Sequence, residues 1–497
     1  MRGVYGVEAG VHRGELHNTH TPKHEHRVSV VILLADGARP DTLDAALNSG
    51  ALPALARLRA EGGLHTVASC FPSVTGPAYA PFLMGRFPGP IGLPGLRWFD
   101  RERTRCRFPD YTRSYVGYQM RAVDGDIDGR APTIFELCGR SLGALNVIGR
   151  GLPARNRIGS ITARSALRGA VTHFTGNVAG WIQIDRDVAR DVAQRIRDDG
   201  PELVFAAFTG VDKVSHAKGQ DSPMVLEALR IVDAAAAEIR ADAEQAGRWD
   251  EMSLWIVSDH GHSRVMAHEN LAGIVARAGH RTMAHPWVYT VAAEVAIMVS
   301  GNAMAHLYLD VRSYARPSAV HDARWRALAD MLLSRESVDL LIARDGDRTV
   351  VRTANRGDAA VWRDERGYHY HRESGDPLGL GRDVCGASAD AAYDAMCATD
   401  YPDGLVQIAH LAASPRAGEI ILSAARDWDF RSKYEPIPHV SSHGALHREH
   451  MLVPLLVNRP VATRPRRTVD VMPSALAALG KAAPPGLDGV SFVSLAS

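Results

Sequence analysis

Three short apolar runs, rich in β-branched residues, each end abruptly in an acidic, loop-forming segment, and few folds accommodate that arrangement. They are Val28 to Ala35 (VSVVILLA), Leu203 to Phe208 (LVFAAF) and Ser253 to Val257 (SLWIV). A continuous apolar run without polar alternation predicts a strand buried on both faces of a parallel sheet. Helical spacing of Leu43, Leu47, Leu52, Leu55 and Leu58 predicts crossover helices after the first run, and Met224 to Ala246 reads as an Ala-rich helix covering the sheet. The expected fold is α/β, a three-layer sandwich with a mostly parallel central sheet. Ligands of such sheets bind at the carboxyl ends of the strands.

The segments at those ends carry metal-ligand chemistry. The first is Asp36-Gly-Ala-Arg-Pro-Asp41, and the second runs Thr209-Gly-Val-Asp212-Lys-Val-Ser-His216. There an Asp and a His four apart can aim oxygen and nitrogen at one cation. The third is Ser258-Asp259-His260-Gly261-His262, where adjacent Asp and His reach one metal only from an irregular loop, since a regular strand would point them to opposite faces. Each has a plainer alternative: Asp36 in a D-G turn, Asp212 as an N-cap with His216 on the surface, Asp259 capping a following helix. Recurrence after three buried strands favours the metal reading.

A candidate nucleophile lies in Ser69-Cys-Phe-Pro-Ser-Val-Thr75-Gly-Pro-Ala-Tyr-Ala-Pro-Phe-Leu-Met-Gly-Arg86. The segment reads as a loop that opens a helix, with Pro77 in the first turn. Thr75 would then sit where free N–H groups and the helix dipole favour a phosphoryl group. A threonine hydroxyl attacks phosphorus only when a base or a metal stabilises its alkoxide.

At 497 residues the chain exceeds a single ordinary core. The expected organisation is a polar tail over residues 1–26, a catalytic core over 27–263 and 436–497, and a smaller α+β cap inserted at 264–435. Within that insertion, alternating runs at Ala305 to Asp310 and Thr349 to Thr353 predict strands, and Ala323 to Leu333 predicts a helix. Lys plus Arg number 57 against 56 Asp plus Glu, so nothing favours a nucleic-acid polymer. Five scattered cysteines form no C-x-x-C pair, which fits a reducing compartment. Neither a signal peptide nor the roughly 18-residue apolar run of a membrane span is apparent, so the expectation is a soluble, cytoplasmic protein without membrane partners. His12, His17, His20, His24 and His26 in the tail read as solvated rather than metal-binding.

Asp36 after the first strand, the F-P-S-V-T-G-P segment, D-x-x-x-H at Asp212 and His216, S-D-H-G at Asp259 and His260, and a late S-H-G at His443 resemble the alkaline phosphatase superfamily. The type I phosphodiesterase/nucleotide pyrophosphatase family is the nearest branch. That resemblance implies two divalent metal ions, one held by Asp212, His216 and His443, the other by Asp36, Asp259, His260 and the Thr75 oxygen. Zinc suits these ligands, and manganese or iron fits the same donors. By the same likeness His443 is chosen over His439, His447 and His450, which the residues alone do not separate.

Cys70-Phe-Pro-Ser also resembles the sulfatase signature C-x-P-S-R, but Val74 replaces its arginine, and Gly85-Arg86 stands at the right distance from Thr75 rather than Cys70. Nucleotide pyrophosphatases resemble T-F-P-N-H after the nucleophile, whereas Gly-Pro-Ala-Tyr79 follows Thr75 here. The asparagine that holds a phosphoryl oxygen is therefore missing, with Tyr79 or Lys213 as candidates to replace it. Trp98, among the aromatics between Arg86 and Gln119, is a candidate to stack on a base or aryl leaving group.

The expected function is hydrolysis of phosphoric esters as a phosphodiesterase or nucleotide pyrophosphatase through a phosphothreonine intermediate. Its partner would be a small-molecule phosphoester, with nucleotides among the options. A phosphomonoesterase or phosphonate-bond hydrolase is the alternative enzyme, and a catalytically silent metal-binding protein is the alternative of another class. The sequence does not specify an oligomeric state.

Overall fold

All three apolar runs form strands, and they lie side by side. The computed structural model describes residues 28–101, 112–159, 171–172, 175–285, 292–313, 315–431 and 438–494. The 1–26 tail, with its five histidines, lies outside these residues. The central sheet has seven strands in the order Gly63–Ala68, Leu452–Val457, Met252–Val257, Ser29–Ala35, Leu203–Phe208, Ser141–Ala144, Arg157–Ile158. Only Leu452–Val457 runs against the others. Ala35 pairs with Phe208 and Leu34 with Val257, so the three strands end level. Asp36, Thr209 and Ser258 therefore leave the sheet at one end.

Side chains alternate between the two faces of each strand. Val31, Leu33, Val204, Ala206, Leu254 and Ile256 pack on helices Pro40–Asn48, Pro53–Glu61, Val178–Asp199 and Pro223–Gln245. Val30, Ile32, Leu34, Phe205, Trp255 and Val257 pack on Ala80–Met84 and Val471–Ala478. This is the expected α/β sandwich. No helix among the described residues is long and apolar enough to cross a membrane.

The Thr75 loop departs from expectation. A 3₁₀ turn, Pro77–Tyr79, and a five-residue helix, Ala80–Met84, are all that follow it, and Gly85 ends the helix in a left-handed conformation at φ 60°. So short a helix builds little dipole, and the anion-binding role expected of its N-terminus falls to other groups.

A second sheet contains nine strands among the described residues, running from Thr282–Ala284 to Val384–Ala387 and antiparallel except at its first pairing. Its strands fall inside the interval expected for the cap, although by strand number it is the larger sheet. A third, small sheet joins Asp427–Phe430, Ser263–Glu269 and Ser441–Ser442. Ser442 pairs there with Ser263, which brings His443 beside the loop that ends at His262.

Candidate active site

Each acidic segment turns inward at the carboxyl end of its strand. Asp36 directly follows Ser29–Ala35. Asp212 lies in the first turn of helix Gly210–Lys218, with His216 one turn further on the same face. Asp185, buried in helix Val178–Asp199, accepts the Thr209 N–H at 3.0 Å and the Gly210 N–H at 2.7 Å, anchoring the start of that helix. Asp259, His260, Gly261 and His262 form an irregular loop that leads into strand Ser263–Glu269, so Asp259 caps no helix. Gly261 is required there, because a Cβ would stand 2.1 Å from the Glu449 carbonyl oxygen.

The structure brings these groups together around Thr75. Thr75 Oγ1 lies 3.0 Å from His260 Nε2 and 3.3 Å from Asp36 Oδ1. The ligand atoms of Asp36, Asp212 and His260 all fall within 4.8 Å of one another, as do those of Asp212, His216, His262 and His443. Asp259 adjoins the first group, with Oδ2 3.5 Å from His260 Nε2. Between Val67 and Gly85, Thr75 is the one residue not fully buried. Cys70, the rejected nucleophile, is wholly buried, and burial pushes its thiol well above its ordinary range.

Three imidazoles are oriented by backbone carbonyls. His216 Nδ1 donates to Ser441 O at 2.9 Å, His443 Nδ1 to Ser73 O at 2.9 Å, and His260 Nδ1 to Gly261 O at 3.2 Å. A carbonyl only accepts, so each Nδ1 carries a proton and each Nε2 is turned toward the cluster. His443 also stacks on His260 with ring centroids 3.6 Å apart.

The electrostatics call for cations. Asp36, Asp212 and Asp259 are each at most 1 % exposed. Burial, reinforced by Asp36, raises the Asp259 carboxyl far above its usual range, and Asp259 Oδ2 is buried without a hydrogen-bond partner. Burial works against charge on His260 too, but Asp259 and Asp36 outweigh it and raise the imidazole to about 9. Asp212, despite its burial, is held far below the carboxylate range by His216 and Lys213. Clustered carboxylates, inward-facing imidazole nitrogens and an orphaned carboxylate oxygen suit divalent metal ions.

The three candidate substrate contacts separate. Lys213 Nζ is 2.7 Å from Asp212 Oδ2 and keeps part of its side chain in solvent. Tyr79 has no exposed surface; it packs edge-on against Phe205 at 5.6 Å in the core, which removes it as a substrate contact. Trp98 is likewise wholly buried, with the Arg416 guanidinium 4.5 Å from its ring centroid, and offers no face for stacking. Aromatic size favoured the core in both cases.

Two residues of the site went unassigned by sequence reasoning. His262 stands two positions beyond His260, and its signal was its place on a glycine-containing loop, where strand alternation does not separate neighbours. Asp185 interrupts the apolar stripe of Ile182, Val188, Val192 and Ile196, and a charge at a core-facing position was the available sign.

A model of the type I phosphodiesterase/nucleotide pyrophosphatase family matches residues 30–446. The chain belongs to this family. Membership makes it a metal-dependent phosphoric ester hydrolase of the alkaline phosphatase superfamily. Phosphonoacetate hydrolase from Sinorhizobium meliloti, in complex with phosphonoacetate, has a similar fold, with a TM-score of 0.57 and 16 % identity over 91 % of this chain and 96 % of that one. Human ectonucleotide pyrophosphatase/phosphodiesterase 5 aligns at a TM-score of 0.54 and 14 % identity over 93 % and 97 % of the two chains. The murine counterpart, an inactive threonine-to-alanine variant in complex with AMP, aligns at 0.50 and 14 % identity over 92 % and 96 %. No curated protein matches the phosphodiesterase-family chain.

Proposed function

We propose that the chain is a two-metal phosphodiesterase or nucleotide pyrophosphatase in which Thr75 forms a covalent phosphothreonine. One observation carries this reading: Thr75, the one partly exposed residue of an otherwise buried loop, places Oγ1 3.0 Å from His260 Nε2 and 3.3 Å from Asp36 Oδ1. Asp36, Asp259, His260 and Thr75 would hold one cation and Asp212, His216 and His443 the other, with zinc the best match to mixed carboxylate and imidazole donors. When bound, the two cations stabilise the Thr75 alkoxide and neutralise charge on the phosphoryl oxygens.

The Thr75 hydroxyl releases its proton to solvent as Oγ1 attacks phosphorus in line, the bond to the leaving oxygen breaks, and that oxygen takes up a proton from solvent. Water then attacks the phosphothreonine from the opposite side, restoring the Thr75 hydroxyl. Lys213, partly exposed beside Asp212, supplies positive charge for a phosphoryl oxygen in place of the missing asparagine. AMP in the murine relative favours nucleotide substrates, and a phosphonate bond is the second reading, favoured by likeness to phosphonoacetate hydrolase.

The test compares hydrolysis of bis-p-nitrophenyl phosphate, p-nitrophenyl phosphate and phosphonoacetate by metal-loaded protein. Diester preference, with a Thr75→Ala loss on the order of 10³-fold or more and partial retention in Thr75→Ser, is the expected result. Preference for phosphonoacetate would establish the second reading, and equal rates in wild type and Thr75→Ala would end the threonine assignment.

A further inference from the structure

A buried charge pair stands behind the nucleophile loop. Asp403 is wholly buried at the N-terminus of helix Gly404–Ala412, with its backbone at φ +61°. An aspartate at that position ordinarily accepts an N–H of its own helix, but the Asp403 side chain makes no such bond. Its carboxylate turns instead to Arg467, also buried, which donates through Nε to Oδ2 at 2.8 Å and through Nη2 to Oδ1 at 2.8 Å. This is the two-pronged grip of a guanidinium on a carboxylate. Gln407, one helical turn beyond Asp403, donates Nε2 to Asp403 Oδ2 at 2.7 Å.

These contacts fix the glutamine amide, because a carboxylate only accepts and a backbone N–H only donates. Gln407 Nε2 therefore faces Asp403 and Ser69 O, the latter at 3.2 Å, while Oε1 accepts the Phe71 N–H at 2.8 Å. Phe71 stands four residues before Thr75. Nearer Thr75 the loop is held by His443 Nδ1 on Ser73 O at 2.9 Å and by Ser73 Oγ on Ala445 O at 3.0 Å. Arg467 also meets the strand that enters the loop, through a parallel bridge to Ala68.

We infer that Asp403, clamped by Arg467, is a positioning residue for the Thr75 nucleophile, acting through the Gln407 amide. This rests on the threonine reading above. The clamp orients the amide, the amide sets the backbone from Ser69 to Phe71, and that backbone sets where Oγ1 stands against Asp36 and His260. In-line attack tolerates little error in that place, and a displacement of about 1 Å can cost on the order of 10²-fold in rate. Asp403→Asn keeps the shape of the side chain but turns an N–H toward donors that the carboxylate accepts.

The experiment is a double-mutant cycle on metal-loaded, full-length protein. It measures kcat and KM for bis-p-nitrophenyl phosphate, metal content and deuterium exchange over residues 69–75 in wild type, Asp403→Asn, Gln407→Leu and the two combined. The expected result is kcat lower by about tenfold or more in each single variant, with KM and metal content unchanged, and no further loss in the combination. Exchange over 69–75 should quicken in each variant. Losses that multiply in the combination, or wild-type kcat and exchange in Asp403→Asn, would overturn the inference. A Thr75→Ala control separates two failures: activity that survives it removes the threonine reading and this inference with it, whereas activity lost there but untouched in Asp403→Asn overturns this inference alone. Should Asp403→Asn fail to fold by circular dichroism, Arg467→Lys replaces it in the cycle, keeping the charge without the two-pronged contact, and unchanged kcat and exchange there overturn the inference.

Discussion

Asp185 occupies an apolar position of helix Val178–Asp199, and its carboxylate closes the turn that delivers Asp212. Replacing it with alanine strands two buried N–H groups, each worth about 1–3 kcal/mol, so urea unfolding should show Asp185→Ala less stable by about 2–5 kcal/mol. Asp185→Asn keeps one acceptor and should lose less. Metal affinity should fall in the alanine variant as well, because Asp212 loses the anchor of its helix; a variant that unfolds like wild type would remove Asp185 from this role. At this scale the sequence was readable wherever a residue type had one plausible duty after a buried strand. Asp36, Asp212 and His216, Asp259 and His260, and Thr75 meet in one cluster. His443 needed the family resemblance, since three other histidines crowd it in sequence. Tyr79 and Trp98 were misjudged because an aromatic suits a core as well as a ligand, and only burial tells them apart.

Elements carry the next constraint, because the loops work only if their strands end level. Gly261 lets the 259–262 loop pass the chain at Glu449. Gly261→Ala should displace Asp259 and His260 and abolish tight binding of at least one metal, a loss that equilibrium dialysis would detect. Retention of both metals at wild-type affinity would contradict the close approach. His306, in strand Met304–Leu309, ties the nine-stranded sheet to two loops: Nε2 donates to Pro94 O at 2.8 Å and Nδ1 accepts the Gly418 N–H at 3.2 Å. Burial pushes this imidazole down to about 4 from its ordinary 6.5. A depressed histidine stabilises the fold above its unfolded pKa, and the contribution is lost as pH falls from about 6.5 toward 4. Between pH 7 and pH 5 that loss is about 2 kcal/mol. Urea titrations at the two pH values should show this increment in wild type and lack it in His306→Gln. Strands and long helices were legible from their apolar periods, whereas the helix after Thr75 was overread because its prolines and Gly85 confine it to five residues.

At the scale of the whole molecule, the nucleophile loop and the nine-stranded sheet share a core. Cys70, Phe71 and Ala78 of the nucleophile loop pack with Met304, Ile342, Leu405 and Val406 of the inserted region. Gln407, on helix Gly404–Ala412, accepts the Phe71 N–H at 2.8 Å and donates to Ser69 O at 3.2 Å. The insertion therefore grips the backbone leading to Thr75, a role that no local sequence pattern announces. Gln407→Leu keeps the bulk but not the grip, and should lower kcat while destabilising the protein by about 2–4 kcal/mol, read from steady-state rates and denaturation together. Metal removal acts on the same unit: loading depleted protein at a thousand times Kd should add about 4 kcal/mol per site, seen as a higher unfolding temperature. The one strand that opposes the rest, Leu452–Val457, lies between Met252–Val257 and Gly63–Ala68 and follows His443 by a few residues. Seen from the ribosome, this makes the central sheet a structure with a reserved gap. Until that late strand emerges, Met252–Val257 and Gly63–Ala68 lack the neighbour that joins them. While the gap is open the nascent chain is a natural client for a chaperone that shields strand edges.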